Sequence, residues 1–251
     1  MVASDDRRAR QRAAVDRLSA RRPGRSLEAA AMAGMAYSVL AVTGMVLLSD
    51  FPDLSLSDEE MTLWFEDSWR RAEVILGLNV VSISAIAFLW FVAVIRRRLG
   101  DREDRFFGTV FFGSSIAYVG VWLAAAAVVA GPVVVLTTFD NASISTESES
   151  LAVGIGAALV LVIAPRLQAV FVITVSNVIL RSGFLPRWLA FVGFATGLVM
   201  MVIPFISQPL GLAFPAWVFL VSVVILVTGP GRGQVAGSRP EDGTAESTVV
   251  R

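Results

Sequence analysis

Six stretches of about twenty or more mostly apolar residues, separated by polar breaks, dominate the chain. A helix rises about 1.5 Å per residue, so roughly 20 apolar residues cross the hydrocarbon core of a bilayer. The pattern therefore predicts an all-α, polytopic membrane protein with six transmembrane helices. The expected spans are residues 29–48, 74–95, 106–136, 151–180, 188–206 and 212–227.

Polar signals between the spans predict where helices begin and end. Ser57 followed by Glu60 fits a capping box, which predicts a short helix from Asp58 to about Trp69 on the outer surface. Pro132 is expected to kink or end the third span. The fourth span has about 30 residues, so it must tilt, bend or protrude. Gln208–Pro209 predicts a tight outer turn between the last two spans.

Both termini differ in composition from the apolar region. The expected organisation is an Arg-rich tail at 1–27, a six-span domain at 28–228 and a disordered tail at 229–251. A short helix in the first tail would end at Pro23–Gly24. This tail either binds lipid headgroups or is a solvated segment that helps to set topology, and its weak apolar face favours the second reading.

The distribution of Arg predicts the orientation. Eighteen of the 21 Arg lie in the two tails and in the 96–105 and 181–187 loops, whereas the other loops carry only Arg70 and Arg71. Positive residues near spans stay on the cytoplasmic side. Both termini are therefore expected to be cytoplasmic, which agrees with an even number of spans.

The amino-acid composition limits the kinds of chemistry that the chain can carry out. Hydrophobic residues make up 55% of the chain and charged residues 17%, against about 25% in soluble proteins. The chain has no Cys, which excludes thiol chemistry, and no His, which removes the commonest metal ligand. The net charge of zero gives no basic field for nucleic acid. Catalytic motifs and paired acids within the spans are also missing, so we expect no enzyme activity, cofactor or metal.

The most informative single residue is Arg166, which follows Pro165 about fifteen residues into the fourth span. An Arg in mid-membrane costs roughly 2.5–3.5 kcal/mol on insertion scales. Helical spacing places Val170, Thr174 and Asn177 on the same face. The functional interpretation is an anion- or substrate-binding point in a hydrated cavity. The structural interpretation, which we favour, is a guanidinium that bonds to freed carbonyls and helix neighbours, since no acidic residue lies inside a predicted span.

Other polar residues within the spans suggest either a pocket or helix packing. Asn79 and Tyr118 would complete a speculative substrate site with Arg166, Thr174 and Asn177, although small hydroxyls and amides more often join helices. Small residues at a spacing of four, Gly113 with Ala117 and Gly193 with Gly197, favour close helix packing. The acidic loop at 49–73 is interpreted as a solvated face in preference to a cation site.

Four segments resemble an uncharacterised actinobacterial family of multi-span membrane proteins. They are LWFVAVIRRRLGDREDRFFGTVFFGS (89–114), APRLQAVFVITVSN (164–177), RSGFLPRWLAFVGF (181–194) and FPAWVFLVSVVILV (214–227). The Leu-Pro-Arg-Trp opening of the fifth span is also similar to a group of six- to seven-span proteins of unknown function. The resemblance covers most of residues 30–228 and implies a plasma membrane protein. It implies no activity, cofactor or functional residue.

Three hypotheses follow. The first is a structural or accessory membrane protein that acts through helix packing and its tails. The second is a small-solute or anion permease in which Arg166 contacts the substrate, and the third, a membrane-embedded enzyme, has least support. The expected partners are the lipid bilayer and, as an open option, further copies of the chain in a homo-oligomer, while any small-molecule ligand stays unknown.

Overall fold

The computed structural model describes residues 23–49, 57–99, 105–139, 143–183, 185–203 and 208–228. These residues form nine α-helices and one π-helical turn. The helices are α1 (Pro23–Leu47), α2 (Asp58–Glu66), α3 (Ser68–Leu99), α4 (Arg105–Thr138), α5 (Thr146–Ala158), α6 (Ala164–Ser182), α7 (Arg187–Val202), α8 (Gln208–Gly211) and α9 (Ala213–Thr228).

The all-helical prediction is confirmed for the described residues, and four helical stretches are long and apolar enough to cross a membrane. They lie in α1, α3, α4 and the continuous helix formed by α5, the π turn and α6. The helices α7 and α9 have only 16 residues each. Each is therefore about 24 Å long, shorter than the roughly 30 Å of a hydrocarbon core.

Local signals explain most helix boundaries. Pro23 begins α1 where the sequence predicted a helix end, since proline is well suited to a first helical turn. The capping box of Ser57 and Glu60 is confirmed at the start of α2, and Asp67 ends this helix earlier than expected. Gly183 ends α6 in the left-handed conformation, at φ 65°, and its N–H donates to the carbonyl of Ile179.

Six helices form a closed ring in the order α1, α3, α4, α6, α7, α9 and back to α1. Glycines allow neighbouring helices to approach closely. A Cβ added at Gly44 would meet Val81, one at Gly34 would meet Phe91 and Ser222, and one at Gly197 would meet Ile173. The predicted close packing at Gly193 and Gly197 is thus confirmed, whereas Gly113 lies exposed on α4 with nothing within 4 Å of an added Cβ.

Five aromatic side chains from five helices fill the centre of the ring. They are Tyr37, Phe88, Tyr118, Phe171 and Phe214, and none is more than 2% exposed. The ring of Phe88 contacts the other four, at centroid distances of 4.8 Å to Tyr37, 5.3 Å to Tyr118, 5.3 Å to Phe171 and 5.7 Å to Phe214. These rings, which we call the aromatic plug, close the axis of the bundle.

Two features in the middle of the chain differ from what the sequence suggested. Pro132 does not end α4, which continues to Thr138. The helix of the fourth span begins at Thr146 and therefore includes Glu149, which is only 1% exposed. An acidic residue thus lies in that helix, although it is about 17 residues, or roughly 25 Å, from Arg166.

Replacing Phe88 by Ala should destabilise the bundle by roughly 2–4 kcal/mol, because the cavity would lie where five helices meet. Lipid solvates the unfolded spans, so the loss comes mainly from packing. Unfolding in mixed micelles with increasing SDS measures this change. Ile83→Ala is the matched control on α3, since Ile83 is 53% exposed; equal effects of the two substitutions would contradict a packed centre.

Candidate functional site

The fourth span changes its helical pitch just before Arg166. Residues Leu159–Ile163 form a π-helical turn, in which the N–H of Ala164 donates to the carbonyl of Leu159 five residues earlier. Pro165 follows and has no N–H, and its ring would clash with a carbonyl four residues back in a regular α-helix. The π turn lies just before Pro165, at the point where a regular α-helix would meet this clash.

The Arg166 guanidinium bridges two backbone segments. Its Nη1 donates to the carbonyl of Val162 at 2.7 Å, and its Nη2 donates to the carbonyl of Ile203 at 2.8 Å. Val162 belongs to the π segment, whereas Ile203 is the residue that follows the last turn of α7. One cation therefore ties α7 to a partly unwound part of the fourth span.

The end of α7 explains why a cation is needed there. Ile203 is extended, with φ −70° and ψ 119°, because the next residue in the sequence, Pro204, disfavours the helical conformation before it. The last carbonyls of a helix have no partner within it and carry partial negative charge. Arg166 satisfies one of them and complements that charge.

This bridge lies near the middle of the bundle. Phe171 on α6 contacts Phe88 in the aromatic plug, at a centroid distance of 5.3 Å. Phe88 lies within the apolar stretch 74–95 of α3, and Arg166 precedes Phe171 by only five residues, about 7.5 Å. Helix α7 therefore ends at a depth where the long helices continue in both directions.

The other predicted site residues are not gathered around Arg166. Thr174 is buried and donates to the carbonyl of Val170 on its own helix, and Asn177 is half-buried further along α6. Asn79 is exposed on α3 and donates to the carbonyl of Ile75. The residues of the predicted substrate pocket are thus separate side chains, most of which bond to their own helices.

Tyr118 instead belongs to a polar pair within the plug. Its hydroxyl lies 2.8 Å from the hydroxyl of Tyr37 on α1. Both side chains are more than nine-tenths buried. Helices α1 and α4 are therefore joined by a directional bond inside an otherwise apolar contact, which restricts their relative rotation.

The two ends of the bundle differ in charge. One end, which we call the basic end, carries Arg96, Arg181 and Arg187, and Arg96 lies 4.5 Å from the ring centroid of Phe112 on α4. The opposite, acidic end carries the short helix α2. There the backbone N–H and hydroxyl of Ser57 hold the pKa of the Glu60 carboxyl below its ordinary value, so the capping box is intact at neutral pH.

These groups offer binding and positioning but little catalytic chemistry. The guanidinium is a hydrogen-bond donor that keeps its charge in proteins. Within the described ranges no three His, Cys, Asp or Glu residues are grouped as a metal site would require. The described arrangement at Arg166 thus pairs a fixed positive charge with two backbone carbonyls.

Sequence reasoning missed Ile203 and the pairing of Tyr37 with Tyr118. The Ile-Pro step at 203–204 was a usable signal, because a residue before proline often ends a helix. The tyrosine pair had no such signal, since its partners are 81 residues apart and meet only through the packing of α1 against α3 and α3 against α4.

Comparison with known proteins adds no assignment to this geometry. No family model, no curated protein and no solved structure matches the chain.

Replacing Arg166 by Ala should destabilise the protein by about 2–4 kcal/mol, since two charge-assisted hydrogen bonds are lost and the carbonyl of Ile203 is left unpaired. Free guanidinium ion at millimolar concentration should restore part of this loss by occupying the vacated space. Thermal unfolding in detergent measures both effects. Arg96→Ala, which removes an exposed guanidinium, is the control and should show no such rescue; rescue of both variants, or of neither, would contradict the bridge.

Proposed function

We propose that this chain is a plasma membrane protein with six crossings, both termini in the cytoplasm and a structural or accessory role without catalysis. Four crossings correspond to the long helices in α1, α3, α4 and α5–α6. In this proposal α7 and α9, together with residues beyond their ends, make the fifth and sixth. The bilayer is the principal partner, and a homo-oligomer is an optional assembly.

The observation that carries the accessory role is the internal bonding of Arg166. A substrate-binding Arg would direct its donors into a solvent-accessible passage, whereas both hydrogen bonds described above end on backbone carbonyls of the bundle itself. The aromatic plug supports the same conclusion, because its five side chains leave almost no exposed surface on the axis of the ring. The bundle thus resembles a packed scaffold more than a conduit.

One observation favours the alternative, a small-solute or anion permease that uses Arg166. The π turn of the fourth span and the end of α7 interrupt two helices at the same depth, and the guanidinium lies between them. Interrupted helices that meet near the middle of the membrane are typical of substrate sites in transporters. Movement of the Arg166 side chain away from Ile203 would then expose a cation to an anionic substrate.

Reconstituted vesicles distinguish the two functions. For an accessory protein, vesicles that contain the purified chain should release chloride, nitrate or small carboxylates no faster than protein-free vesicles, as followed with an anion-sensitive dye. Arg166→Lys, which keeps the charge, and Arg166→Leu, which removes it, should both leave this background unchanged. Flux at least tenfold above background that Arg166→Leu abolishes and Arg166→Lys partly retains would establish the permease instead.

The orientation of the chain in the membrane can be tested separately. Because the chain has no Cys, single cysteines can be introduced and labelled with a membrane-impermeant maleimide. Glu59→Cys and Glu147→Cys at the acidic end should react in intact cells. Ser4→Cys and Ser238→Cys in the tails should react only after the membrane is opened. Labelling of either tail in intact cells would overturn the proposed topology.

A further inference from the structure

Two buried polar side chains near the basic end of the ring have no hydrogen-bond partner. They are Ser176 on α6, whose hydroxyl is unpaired, and Trp217 on α9, whose indole Nε1 is unpaired. Ser176 is 0% exposed and Trp217 is 2% exposed. Neither group belongs to the Arg166 bridge or to the hydrogen-bonded pair of Tyr37 and Tyr118.

Ser176 departs from the behaviour of the other buried serines. Each of the others in the described residues donates its hydroxyl to a carbonyl three or four residues earlier on its own helix. They are Ser38, Ser84, Ser114, Ser115 and Ser222. This local bond is the usual way for a helical serine to pair its hydroxyl without a neighbour. The Ser176 hydroxyl is instead directed across the helix contact towards α7.

The two groups converge beside Gly193 of α7. A Cβ added to Gly193 would lie 2.9 Å from Trp217 Nε1 and even closer to Ser176 Oγ. Three different helices, α6, α7 and α9, therefore bring two polar atoms to one point over a residue that has no side chain. Gly113 and Gly120 on α4, where an added Cβ has nothing within 4 Å, show no such convergence.

The energetics favour an occupant at this point. A polar group in hydrocarbon without a partner costs several kcal/mol, and here two such groups are adjacent. The indole N–H can only donate, so the occupant must offer an acceptor to it, whereas the serine hydroxyl can donate or accept. The occupant must also be small, since the space beside Gly193 is bounded by the two side chains themselves.

We propose that Ser176, Gly193 and Trp217 form a binding site for a single water molecule, enclosed by α6, α7 and α9. The water accepts from Trp217 Nε1–H and exchanges a hydrogen bond with the Ser176 hydroxyl. Buried waters typically make about three hydrogen bonds to groups that would otherwise be unpaired. The site does not include Arg166 and rests on neither the accessory nor the permease role, although Trp217 contacts Phe171 of the aromatic plug at a centroid distance of 6.3 Å.

NMR of the full chain in lipid nanodiscs, with ¹⁵N-labelled tryptophan, tests the site. The indole resonance of Trp217 is assigned with Trp217→Phe or, if that variant does not fold, by elimination with Trp→Phe at the other five tryptophans. The expected result in the wild-type chain is magnetisation transfer from water protons to the Trp217 indole N–H, despite its burial. Trp122 on α4, whose buried Nε1 is also unpaired, is the internal comparison, and its indole signal should not respond to a substitution at Gly193.

Gly193→Ala places a methyl group at the point of convergence and should abolish the transfer, whereas Gly120→Ala should leave it unchanged. Lack of transfer to Trp217 in the wild-type chain would overturn the proposal. In that case a shift of the indole resonance in Ser176→Ala would mean that Trp217 donates directly to Ser176. A resonance that depends on chloride concentration would also overturn it, since the occupant would then be an anion.

Discussion

The structure depends on one requirement, that a backbone carbonyl in the membrane interior must have a donor. Most carbonyls meet it within a helix, which is why nearly all of the described residues are helical. Helix α7 cannot meet it at its end, because Pro204 forces Ile203 out of the helix at mid-depth. Arg166 supplies the missing donor. The charge that looked expensive in the sequence is thus placed where a carbonyl of the π turn and a carbonyl at the end of α7 accept its hydrogen bonds, and where the dipole of α7 is favourable.

The same requirement organises the packing of the ring. Glycines bring neighbouring helices close enough for side chains to reach the opposite backbone, as where the Ser38 hydroxyl, bonded within α1, also lies 2.9 Å from the carbonyl of Pro215 on α9. The aromatic plug then fixes five of the six helices to a common centre. Helix α7 contributes no ring to this plug. It packs through the buried side chains of Leu189, Ala190 and Met200 and through close approaches at its glycines, and the Arg166 bridge adds a polar contact at its end.

Much of the fold, but little of the site, could be predicted from the sequence. Hydrophobic run length gave the helical class, and Ser57 with Glu60 marked the start of α2, because these signals act over a few residues. The helix of the fifth span ends at Val202, before the expected end of that span at residue 206, because hydropathy ignores the conformational effect of Pro204 on Ile203. The substrate pocket around Arg166 was expected from helical spacing alone, which places residues on one face of a helix but does not say which neighbour that face meets. Tyr118 therefore bonds to Tyr37, a partner that only the tertiary arrangement determines.

The two bonds of the Arg166 bridge become available at different times during synthesis. Val162 is four residues upstream, so its carbonyl can accept the guanidinium as soon as the fourth span leaves the ribosome. Ile203 is 37 residues downstream and, at 5–20 residues per second, emerges about 2–7 s later. During that interval the translocon must hold a charged segment whose bond to Ile203 has not yet formed. The bond to Val162 can therefore form while the fourth span is being inserted, whereas the bond to Ile203 forms only when α7 packs against that span.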